Sequence, residues 1–353
     1  MEFFANQDKA RKRTKVLVIY FVIAVACIIA SVYFANLLIF YGAQLQNPGA
    51  LSPELILWRP LLFLYSVLGT IGVVGLGSLY KTATLAKGGS IVAELLGGQL
   101  VELNTPDPDE RQLRNVIEEM AIAAGVPVPR IYVLDGEKGI NAFAAGHAPG
   151  DAVIGVTRGC MTLLDRDELQ GVIGHEFSHI LNGDMRLNLR VMGLLYGILC
   201  LAVIGQMLIY SRGRGGKGKN PLVLLGLALI VIGAIGVFFG RLIQAAISRQ
   251  REFLADASSV QFTRNPAGLS GALQKIGGVG SRVESANAGE ASHMFFGNGL
   301  GKPFLGMLAT HPPLKDRIRA IDPGWDGQFK PAGVATELPA RGADFTDTAA
   351  TRG

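Results

Sequence analysis

His175-Glu176-Phe177-Ser178-His179 sets two imidazoles four residues apart with a carboxylate beside the first. On a helix such residues share a face, so both rings can grip one divalent ion. Glu176 then stands where it can take a proton from an attacking water, the general-base step of metal-assisted hydrolysis. A catalytic zinc takes three protein ligands and keeps one position open. The candidate third ligand is Glu252, in Ser248-Arg-Gln-Arg-Glu252-Phe-Leu-Ala-Asp256. Asp256, one turn on, can accept a hydrogen bond from the free ring nitrogen of a ligand histidine. The competing reading makes Glu252 and Asp256 a solvated helical face paired with Arg249 and Arg251, and spacing alone does not choose. His147 and His293 read as loop residues.

The motif needs a rigid helix under it. Asp165-Arg-Asp-Glu168 is a capping box, the stripe Leu169, Val172, Ile173, Phe177 and Ile180 continues it, and Asn182-Gly183 closes it. Upstream, Pro108–Ala124 carries a helical stripe of Leu113, Val116, Ile117 and Met120, ended by Gly125. Arg130–Leu134, Asn141–Ala145 and Asp151–Val156 read as short strands, the last two parted by the turn residues His147, Pro149 and Gly150. These elements predict a small α/β unit around the histidine helix.

The rest of the chain is apolar. Of 353 residues 49% are hydrophobic and only 17% charged, below the usual charged share of about 25%. The apolar residues gather in four blocks, Val16 to Tyr41, Pro60 to Tyr80, Val191 to Tyr210 and Pro221 to Gly240. Each reaches or nearly reaches the roughly 20 residues that cross a bilayer core, and the first is too long for a cleaved signal. A soluble enzyme and a disordered chain are both excluded. The net charge of +5 lies beside the apolar blocks, as juxtamembrane charge does, and no nucleic-acid motif accompanies it. The three cysteines, Cys27, Cys160 and Cys200, have no paired spacing, which argues against a disulfide framework or a cysteine metal site.

Lys9, Arg11, Lys12, Arg13 and Lys15 precede the first block, so the positive-inside rule puts the N-terminus in the cytoplasm. After two crossings Lys81 to Arg190, with the motif, is cytoplasmic again. The basic loop Ser211–Asn220 breaks the rule if the last two blocks cross fully; either they form a hairpin against it or they enter only partly. If the fourth helix runs on past the membrane, Arg241 to Glu252 rises about 16 Å toward the histidine helix.

Together these motifs resemble the integral-membrane zinc endopeptidases of the HtpX type and, more distantly, the CAAX prenyl endopeptidases, in the gluzincin group with HExxH followed by ExxxD. The resemblance extends through Asn141-Ala-Phe-Ala-Ala-Gly146, His179-Ile-Leu-Asn182-Gly-Asp184 and Thr310-His-Pro-Pro-Leu-Lys-Asp-Arg317. It covers roughly Asn141 to Ile321. It implies an α+β, mostly helical membrane metallopeptidase with a small mixed sheet beside the HExxH helix and about four membrane helices. It implies one zinc ion per chain on His175, His179 and Glu252, with Glu176 as general base and Asp256 behind a ligand histidine. It further implies His311 and Arg317 near the metal as stabilisers of the oxyanion. Asn141, Ala142, Phe143 and Ala144 resemble an exposed edge strand that binds extended substrate backbone. The implied setting is a bacterial inner (plasma) membrane, with misfolded or damaged membrane proteins as substrates and the lipid bilayer as the other partner.

The expected organisation is a two-helix anchor (1–86), a first peptidase segment (87–190), a membrane hairpin (191–243), a second peptidase segment (244–323) and a disordered tail (324–353). A different class remains open: a chaperone-like or scaffold membrane protein with a non-catalytic zinc. That site would be closed by four ligands, and Cys160 would have to supply the fourth. A prenyl-protein processing enzyme would need a lipid-sized chamber walled by more helices than four blocks offer.

Overall fold

The computed structural model describes residues 3–45, 57–210, 221–299, 309 and 311–329. The basic loop 211–220 and residues 330–353 of the expected tail lie outside the described residues.

Four helices carry the apolar blocks: α1 (Phe3–Leu45), α2 (Pro60–Leu85), α7 (Asp184–Tyr210) and α8 (Pro221–Thr263). All four are long and apolar enough to cross a membrane. Two run further than their apolar blocks. Helix α7 begins at Asp184, directly after the glycine that ends the histidine helix, rather than at Val191. Helix α8 is 43 residues without a break, about 65 Å. Roughly half of that length spans a bilayer core, and the rest projects into the peptidase unit. Small residues let these helices approach closely, as membrane helices do. A Cβ on Gly197 of α7 would lie 2.3 Å from the Val74 carbonyl oxygen of α2, and one on Gly205 would lie 2.5 Å from the Gly226 carbonyl oxygen of α8.

Between the two helix pairs the chain builds α3 (Gly89–Leu95), α4 (Pro108–Ala124), α5 (Arg158–Leu163), α6 (Arg166–Asn182) and a four-stranded sheet. The strands are β1 (Gln99–Leu100), β2 (Arg130–Leu134), β3 (Ala142–Ala145) and β4 (Val153–Thr157), in the order β1-β2-β4-β3. β2 and β4 are parallel, while β1 and β3 add antiparallel strands at the edges. β4 starts two residues later than the expected Asp151. The Asp151 carboxylate accepts from the His147 and Ala148 amides and is held in the turn instead. After α8 come α9 (Pro266–Val279), α10 (Ala288–Ala291) and α11 (Leu314–Ile321).

Helix α6 is set at both ends by its own sequence. Asp165 accepts from the Glu168 amide at 2.9 Å and Glu168 accepts from the Asp165 amide at 3.0 Å. Gly183 ends it at φ 70°, a left-handed conformation that suits glycine. Its apolar side, Leu169, Val172, Ile173 and Phe177, joins the main core with Val116 and Ile117 of α4 and Leu269 and Leu273 of α9. The motif histidines therefore rest on a helix packed from three sides.

The first residues of the tail depart from the expected disorder. Trp325 and Phe329 pack on the main core, and Phe329 lies against Gly277, where a Cβ would come within 2.0 Å of the ring. Two aromatic residues among the glycines and prolines are enough to hold this stretch down.

Candidate metal centre

His175 and His179 emerge from α6 with their Nε2 atoms 3.1 Å apart. Glu252, from the projecting part of α8, brings Oε2 to 3.5 Å from His175 Nε2 and Oε1 to 3.6 Å from His179 Nε2. Two ligands on a regular tetrahedron at zinc–nitrogen distances would stand about 3.3 Å apart, so the set matches the size of one ion. Among the described residues these three form a group able to hold a metal, with ligand atoms within 4.8 Å of one another, and Cys160 is not in it. Cys160 is buried in the main core.

The outer ring nitrogens explain why the inner ones face each other. His175 Nδ1 lies 2.9 Å from Asp256 Oδ1, and His179 Nδ1 lies 2.8 Å from Asp184 Oδ2. Carboxylates accept, so each Nδ1 carries the hydrogen and each Nε2 turns a lone pair inward. Two lone pairs 3.1 Å apart repel unless a cation or a proton lies between them. Burial alone would lower the pKa of His175, but hydrogen bonds to Asp256 and Glu252 outweigh it and carry it up to about 9. His179 goes the other way, lowered by burial and by the charge on His175.

Glu176 is 1% exposed and, among the described residues, neither carboxyl oxygen has a hydrogen-bond partner. Burial pushes its pKa up. A buried carboxyl with nothing to bind is costly, and a ligand or a proton must satisfy it. His311 is buried, with Nδ1 2.8 Å from Glu252 Oε2 and, among the described residues, no partner on Nε2. A small, partly open cleft lies beside the cluster, lined by residues that include Ala144, His179, Gln244, Glu252 and His293. Burial pushes His293 down to about 4, so this cavity-lining imidazole is neutral.

The profile of "Peptidase family M48" matches residues 107–323, a span that includes every residue of this cluster. The chain belongs to peptidase family M48. A "Protease HtpX homolog" of Dictyoglomus thermophilum is 42% identical over 213 residues, covering 59% of this chain and 68% of that protein. One of Streptococcus uberis is 34% identical over 260 residues, covering 72% and 85%. Among solved structures, the "Crystal Structure of S. mikatae Ste24p" aligns with a TM-score of 0.41 and 18% identity, over 87% of this chain and 66% of that one. M48 membership and the four apolar helices make the chain an integral membrane metalloprotease of α+β, mostly helical fold. Zinc is the metal the family implies, and the donor set here, two imidazoles and a carboxylate, fits it.

Within this M48 site Arg317 stands elsewhere than an oxyanion-stabilising role requires. It is 0% exposed, donates from Nε and Nη2 to both oxygens of Asp256 at 2.9 and 2.7 Å, and donates from Nη1 to the Phe296 carbonyl at 3.0 Å. Its Nη1 also lies 3.5 Å from Glu252 Oε2. Its donors are largely taken up by Asp256 and Phe296, so it braces the carboxylate that orients His175. Arg317→Met is expected to destabilise the fold by about 3–5 kcal/mol, because two buried carboxylates lose their counter-charge. Urea unfolding of the metal-free protein measures this.

The strand expected to bind substrate is at the sheet edge but not exposed. Ala142, Phe143 and Ala144 are all buried. Phe143 bridges to Phe295, and the Phe296 amide donates to the Ala142 carbonyl at 2.8 Å, so the chain's own later segment takes part of that edge. Asn141 is fully engaged: Nδ2 donates to the Ser281 carbonyl at 2.7 Å, and Oδ1 accepts from the Ala142 and Gly297 amides. Of the four, only Ala144 lines the cavity beside the cluster. Asp184 and Gln244 are the residues that sequence reasoning left without a role. Asp184 lies in a phrase already noticed, five residues past His179, but its reach back across the helix boundary is a tertiary fact. Arg251 pairs with it.

Proposed function

We propose that this chain is a zinc endopeptidase that cuts misfolded or damaged membrane proteins at the cytoplasmic face of a bacterial inner membrane, with one ion per chain. The observation that carries the reading is the buried carboxyl of Glu176, unpartnered on both oxygens, beside three inward-facing ligand groups. His175, His179 and Glu252 would hold the zinc. When bound, zinc supplies Lewis acidity that makes water a competent nucleophile near neutral pH. Glu176 takes the proton from the attacking water and returns it to the leaving amine nitrogen. His311, whose Nδ1 faces the Glu252 carboxylate, would act as the doubly protonated ring, donating from its buried Nε2 to the oxygen that gains charge in the tetrahedral transition state. Asp256 and Asp184 fix the two ring orientations, and Arg317 fixes Asp256. The free part of the β3 edge at Ala144 takes extended backbone by strand addition. The basic residues ahead of the first apolar block support the cytoplasmic side.

The test uses the full chain in liposomes with a co-reconstituted membrane protein, supplied either folded or carrying a destabilising core substitution. Metal-dependent fragments should appear at least about tenfold faster from the destabilised form. Equal rates for both forms would contradict the quality-control substrate class.

A further inference from the structure

Gln244 lies on α8 just past the apolar stretch that ends at Gly240, eight residues before Glu252. It is 7% exposed, and among the described residues its amide nitrogen has no hydrogen-bond partner. The carboxamide is therefore a donor withdrawn from water just beyond the apolar stretch of α8. Such a group costs stability unless something binds it.

Its place among the cavities says what that something is. Gln244 lines the cavity beside the metal cluster, together with Ala144 and His293. It also lines a second, shallow and almost wholly apolar groove between α1, α7 and α8, formed with Phe21, Leu194, Leu195, Ile198 and Ile243. Val191 is the other residue common to both. The groove belongs to the membrane-crossing parts of three helices, and the cavity belongs to the peptidase unit. An orphaned donor stands at their junction.

We propose that Gln244 is a substrate-positioning residue: its amide donates to a main-chain carbonyl of a bound polypeptide whose neighbouring apolar side chains lie in the α1–α7–α8 groove. The occupant is an apolar stretch of substrate entering from the bilayer. This rests on the peptidase reading above and adds a specificity to it. The geometry sets the register. Eight residues of helix span about 12 Å between Gln244 and Glu252. An extended peptide rises about 3.3 Å per residue, so the apolar side chains fall about four residues from the bond that is cut. A side-chain donor to the backbone reads no side chain itself; the groove supplies the preference and the amide fixes the depth.

The experiment uses the full-length zinc-loaded protein in liposomes and two internally quenched peptides with the same cleavable centre. One carries leucines at the fourth and fifth residues on either side, the other serines. Wild type should cleave the leucine peptide with about tenfold higher kcat/KM. Gln244→Met, which keeps the shape and removes the donor, should raise KM for the leucine peptide about tenfold with kcat within about twofold, the effect expected for one neutral hydrogen bond. Gln244→Asn, which keeps a donor, should restore part of the loss. Anisotropy binding of the leucine peptide to Glu176→Gln and to the double variant Glu176→Gln/Gln244→Met should show the same tenfold weakening without turnover. Equal KM and equal binding in the presence and absence of the donor would overturn the proposal. So would a wild type indifferent to leucine against serine, a result that needs no variant to fold. Failure of the peptidase reading shows itself separately, as undiminished cleavage by Glu176→Gln.

Discussion

Glu176→Gln is expected to lower kcat by about 10²–10⁴-fold while zinc content and thermal stability stay at or above the wild-type level. The first half follows from chemistry. An amide of the same shape occupies the same place, but it cannot accept a proton from the attacking water or return it to the amine. The second half follows from burial. The Glu176 carboxyl is almost fully enclosed with both oxygens unpartnered. Replacing an ionisable group by a neutral one at such a site removes a desolvation cost instead of adding one. A variant that lost activity only because it unfolded would show lower stability, so the two measurements separate a chemical role from a structural one. Cleavage of unfolded casein, metal analysis and a melting curve on the same preparations give the answer.

Glu252→Ala is expected to reach the metal itself. It leaves two imidazole nitrogens where a catalytic zinc takes three protein ligands. The loss in affinity should exceed the roughly 10–100-fold that removal of a carboxylate behind a ligand histidine typically causes. Asp256→Asn is the internal comparison, because Asp256 touches His175 Nδ1 and not the ligand face. The order Glu252→Ala, then Asp256→Asn, then wild type in rising zinc affinity is the signature of the proposed arrangement. Competition with a zinc-chelating dye measures all three.

The local elements were legible because each was written in short-range chemistry. The capping box at Asp165, the stripe from Leu169 to Ile180 and the glycine at 183 together specify α6, and α6 specifies the shared face of His175 and His179. The four membrane helices follow from length and hydropathy. What pairing and packing decide was harder to see. Glu252 and Asp256 could not be told from a solvated face by spacing, because their partners are some 80 residues away across the α7–α8 hairpin. The β3 edge read as open, since nothing local to Asn141–Ala145 announces that Phe295 and Phe296 will return to it. Arg317 read as a residue facing substrate for the same reason. Its bidentate grip on Asp256 exists only once α11 packs on α8. The long-range contacts of the site came from the fold, and its chemical groups came from the motifs.

In the proposed site α6 and the far end of α8 close on one ion through two nitrogens and a carboxylate oxygen. Zinc-edge X-ray absorption of the purified wild type and of Glu252→Ala tests it most directly. One zinc per wild-type chain, two imidazole nitrogens and oxygen donors at about 2.0–2.2 Å with no sulfur, and loss of the zinc signal in the variant are expected. A sulfur neighbour at about 2.3 Å, or an unchanged spectrum in Glu252→Ala, would contradict it.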